Sequence, residues 1–109
     1  IVAGALQDAH RAVLVGETTF GTGTVLKPFP LSDGSALMLA IEEWLTPNGR
    51  VIWHQGIAPD VVVALTPPAT LLSPDTERTI TAAQLQASDD RQLLHAVGLV
   101  TQATKVPTP

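Results

Sequence analysis

The chain has 109 residues, no cysteine, and six Lys plus Arg against ten Asp plus Glu, a formal net charge of -4. A domain of that size buries only about two thirds of its unfolded surface. The missing cysteines exclude a disulfide framework, a thiolate metal site and a cysteine nucleophile, and the scarce cations exclude nucleic-acid binding through the phosphate backbone.

The opening IVAGALQDAH predicts a helix with Ile1, Ala5 and Leu6 on one stripe. It is already under way at Ile1 with no N-cap before it, so the chain is expected to be a piece of a longer protein. After Arg11, AVLVGE predicts a short strand buried on both faces and ended by Gly16. TVLKPFPL reads as an edge strand, because Pro28 and Pro30 share a face and remove two ladder donors. SDGS at 32–35 carries the Asp-Gly turn signal and ALMLAIEEWL at 36–45 runs back, which predicts a hairpin. TPNG at 46–49 is a second turn, RVIW a short third strand, and HQGIAPDVVV at 54–63 bends at Gly56 and Pro59 before a β-branched run.

Residues 66–81, rich in Pro, Ser and Thr, predict a linker, with Leu71 and Leu72 tucked against the body. A helix is expected from Ser88 or Asp89. Asp89 serves as N-cap, Gln92 completes a capping box, and Leu93, Leu94, Val97 and Val100 recur at helical spacing. Gly98 weakens that helix modestly, and the last residues, TKVPTP, are expected to fray. The fold class is α/β (α+β): an N-terminal helix, a buried strand, an antiparallel hairpin system, a linker and a C-terminal helix, divided as 1–65, 66–81 and 82–109. No apolar run approaches the roughly 20 residues of a membrane span, so this segment is expected to make no membrane contact.

Within the loop GETTFGTGTV, Gly16 and Gly21 have the GxxxxG spacing of a phosphate cradle. Thr22 and Gly23, however, stand where a lysine and a hydroxyl residue would hold phosphate and magnesium, and a strand follows instead of a helix whose N-terminus could hold an anion. The loop reads better as backbone swinging between two strands, with Gly16, Gly21 and Gly23 permitting φ values other residues avoid. Glu17 is placed to accept hydrogen bonds from the loop amides. His10, His54 and His95 are scattered, with no pair at metal spacing. Glu42 and Glu43 are adjacent and face opposite sides of a strand. Trp44 and Trp53 flank the TPNG turn, where they either pack in the core or offer a surface to peptides.

IVAGALQD, RAVLVGETTFGTGTV, LSDGSAL, WLTPNGR and GIAPDVVV, in that order, resemble the C-terminal half of the peptidase domain of the carboxyl-terminal processing serine peptidases, or tail-specific proteases. SDDRQLLHAV is similar to the helix that ends many members. The resemblance implies a Clp protease/crotonase-like fold, cleavage of exported proteins near their C-termini, a PDZ domain upstream and an extracytoplasmic location. It implies no cofactor and no metal; the partners would be protein or peptide tails and the missing N-terminal half of the peptidase domain. It also implies a Ser-Lys dyad whose serine lies about one helical turn before Ile1, outside this chain.

In the family the lysine stands in Phe-Gly-Lys-Gly-Thr-Val, and that position here is Thr22; a glutamine that orients the lysine corresponds to Leu26. Such a lysine must lose its proton through burial to act as a base, and a threonine hydroxyl is too weakly basic to replace it. If 22–26 is extended, Thr22, Thr24 and Leu26 share a face, and Lys27 points to the other unless a bulge intervenes. Three readings stay open: a segment of a peptidase that is inactive alone, a member of this fold that only binds peptides or apolar ligands, and a parent still proteolytic through a different base. Self-association through strand edges is a further expectation, away from Pro28 and Pro30.

Overall fold

The computed structural model describes residues 1–103, so the expectation for 104–109 lies outside the described residues. In chain order the elements are α1 (Val2–Asp8), β1 (Val15–Gly16), β2 (Thr24–Pro30), β3 (Ala36–Glu43), β4 (Val61–Val62), α2 (Pro74–Glu77), α3 (Ala82–Gln86) and α4 (Arg91–Ala103). They divide into two compact units: residues 1–14 with 18–59, and residues 15–17 with the chain from Asp60 onward.

In the first unit β2 and β3 form an antiparallel two-stranded sheet, from Thr24 opposite Glu43 to Pro30 opposite Ala36. The turn between them forms as its residues dictate. Asp33 Oδ1 accepts the Ser35 N–H at 3.0 Å and its hydroxyl at 2.6 Å, and Gly34 takes φ +88°. The Ser35 contacts hold the Asp33 carboxyl below its ordinary range. The register shifts between Val25 and Leu26, where Ile41 is the extra residue on β3. The expected third strand is a single bridge, Leu45 to Val51. The Ile52 carbonyl accepts both the Gln55 and Gly56 N–H groups, at 3.1 and 2.9 Å, so the chain turns at Trp53 before a second pair can form.

The core of this unit is Ile52 and Ile57, each 2% exposed. Helix α1 rests on it through Gly4, which is buried against Thr46 and Ile57. Its far end is tied by polar contacts. Gln7 Nε2 donates to the Ala58 carbonyl at 3.1 Å, the Asn48 N–H donates to Asp8 Oδ2 at 2.9 Å, and Arg50 donates to both Gln7 Oε1 and Asp8 Oδ1. The tryptophans are not core residues: Trp44 and Trp53 are 45% and 41% exposed, and the Trp53 ring meets the His54 imidazole edge-on with centroids 4.3 Å apart.

In the second unit β1 pairs in parallel with β4, Val15 opposite Val61 and Gly16 opposite Val62. The strand expected over AVLVGE is thus two residues long, and Val13 is 63% exposed. Burial on both faces needs a neighbour along the whole strand, and the only ladder β1 makes among the described residues is two residues long. The stretch expected as linker contains α2, capped by the Ser73 side chain. The capping box sits on α3, formed by Thr81 and Gln84, rather than at Asp89 and Gln92. Helix α4 starts two residues later than Asp89, because Asp90 takes the cap: Oδ1 accepts the Leu93 N–H at 2.9 Å and Oδ2 the Leu72 N–H at 3.0 Å. Among the described residues no helix is long and apolar enough to cross a membrane.

Candidate functional site

The residues around position 22 are held by backbone. The Thr19 N–H donates to the Ile57 carbonyl at 3.1 Å, and the Ile57 N–H returns to Thr19 Oγ1 at 2.8 Å. The Gly21 carbonyl accepts the His54 N–H at 3.2 Å and the Gly23 carbonyl accepts the Trp44 N–H at 2.6 Å. Both glycines are buried against the 52–56 turn. A Cβ on Gly21 would lie 2.6 Å from the Gly56 nitrogen and 2.7 Å from the Ile52 carbonyl oxygen; one on Gly23 would lie 2.8 Å from the Trp53 nitrogen. Gly21 also has φ +89°, a conformation side chains disfavour. The facing turn requires a glycine as well, since a Cβ on Gly56, at φ +67°, would fall on the Thr19 carbonyl oxygen.

With Gly21 and Gly23 both pressed on that wall, Thr22 projects the other way and is exposed. Phe20 beside it is 95% exposed. A hydroxyl in that place can donate and accept hydrogen bonds, and it has no basicity near neutral pH. Leu26 is 55% exposed and pairs with Ala40, on the face of β2 that carries Pro28 and Pro30. Lys27 lies on the opposite face: its ammonium stands 5.5 Å from the ring centre of Phe29, two residues on. The register shift does not alter this, because its extra residue is on β3 and β2 runs unbroken.

Gly16 and Glu17 belong to the second unit. The Gly16 carbonyl accepts the Val63 N–H at 2.9 Å, and the Gln92 side-chain amide packs beside Gly16 while donating to the Val63 carbonyl at 2.9 Å. Glu17 Oε1 accepts the Leu65 N–H at 3.1 Å. That acceptor therefore serves the segment after β4, where the sequence had led us to expect the amides of the glycine loop.

Sequence reasoning missed the cluster at the end of α1. The Asp8 side chain is 4% exposed and pairs with Arg50. Its carboxyl lies below the ordinary value, first through the Thr46 hydroxyl and, against the opposing effect of burial, through the Asn48 amide and the Arg50 guanidinium. Asp8 and Arg50 are 42 residues apart, and no local pattern signals the pair.

Comparison with known proteins matches residues 1–63 to the family model of peptidase family S41. The carboxy-terminal processing protease CtpB of Bacillus subtilis (strain 168) is 46% identical over 63 residues, covering 58% of this chain and 13% of that protein. The carboxyl-terminal-processing protease of Picosynechococcus sp. is 38% identical over 102 residues, covering 94% of this chain and 22% of its own. Among solved structures, a photosystem II D1 C-terminal processing protease superposes with a TM-score of 0.55 at 40% identity, over 58% of this chain and 16% of that one. The chain thus spans less than a quarter of the length of these relatives.

Proposed function

The chain belongs to peptidase family S41, and on that premise we propose that it is the part of a carboxyl-terminal processing serine peptidase domain that follows the nucleophile, and that it cleaves no peptide bond by itself. The names of the relatives support an endopeptidase acting on protein C-terminal tails. On this reading the serine would precede Ile1 and the base lysine would correspond to position 22. The observation that carries the reading is Thr22, an exposed hydroxyl between two buried glycines at the position where the reaction needs a neutral amine. Leu26, at the position of the orienting glutamine, has no polar group to hold such an amine.

The partners on this reading are protein tails and the N-terminal half of the peptidase domain, and the location is extracytoplasmic. A second reading, a member of the fold that has lost catalysis and only binds peptides or apolar ligands, is favoured by the joint replacement at 22 and 26 and by the exposed apolar side chains of β2 and β3. The test incubates the full-length protein with an unstructured peptide ending in an apolar tail and follows its mass. The expected result is intact peptide. Cleavage that disappears when the serine preceding Ile1 is replaced by alanine would mean that another group acts as base.

A further inference from the structure

We draw no further inference here: the strongest candidate, the exposed apolar face of the β2–β3 hairpin, carries nothing because nothing in the structure shows what covers it.

Discussion

Proton affinity decides what position 22 can do. An amine there accepts a serine proton once burial has stripped its charge, and a hydroxyl does not become a base under any burial. The fit of the two glycines flanking Thr22 against the 52–56 turn depends on absent side chains and main-chain hydrogen bonds, not on what stands between them. The glycines were legible in the sequence, since Gly21 and Gly23 both lie buried against the 52–56 turn. Asp8 was not, since its value comes from Thr46, Asn48 and Arg50, some forty residues away. Its folded pKa lies below that of the unfolded chain, so its stabilising contribution is complete above the unfolded value of about 3.9 and is lost as pH falls through the lower folded value. Thermal melts of the protein and of Asp8→Asn should therefore differ by a constant margin from pH 7 to about pH 5. The margin should shrink once the pH drops below about 4; a margin that grows towards acid would show that Asp8 is not the acceptor described.

At the scale of elements, the hairpin was readable and the helix starts were not. Pro28, Pro30 and the Asp33-Gly34 turn constrain backbone directly, and β2 and β3 follow them closely. The cap of α4 depended on tertiary structure. Asp89 and Asp90 are equally good N-caps by type, and the choice falls to Asp90 because its second oxygen is also in reach of the Leu72 amide. Likewise Gln92, free on sequence grounds to close a capping box, is used on the Val63 carbonyl. Asp90→Ala should cost about 2 kcal/mol in urea unfolding, a lost cap plus an amide without its acceptor. Asp89→Ala should stay within about 0.5 kcal/mol, and the reverse order would restore the sequence-based start.

For the molecule as a whole, the balance between apolar content and burial is the telling quantity. Hydrophobic residues make up 45% of the chain, yet among the described residues Ile52 and Ile57 form the buried apolar core, and every residue of β3 is exposed. Exposed apolar surface on that scale marks interaction. Composition alone could not reveal it, because hydropathy does not say which faces find partners. Thr22 is likewise exposed among the described residues. The most direct measurement compares the full-length protein with its Thr22→Lys, Leu26→Gln double variant in cleavage of the same apolar tail peptide. Turnover should appear in the double variant and be absent from the parent. A parent that cleaves as fast as the variant would contradict the claim that position 22 is where catalysis is lost.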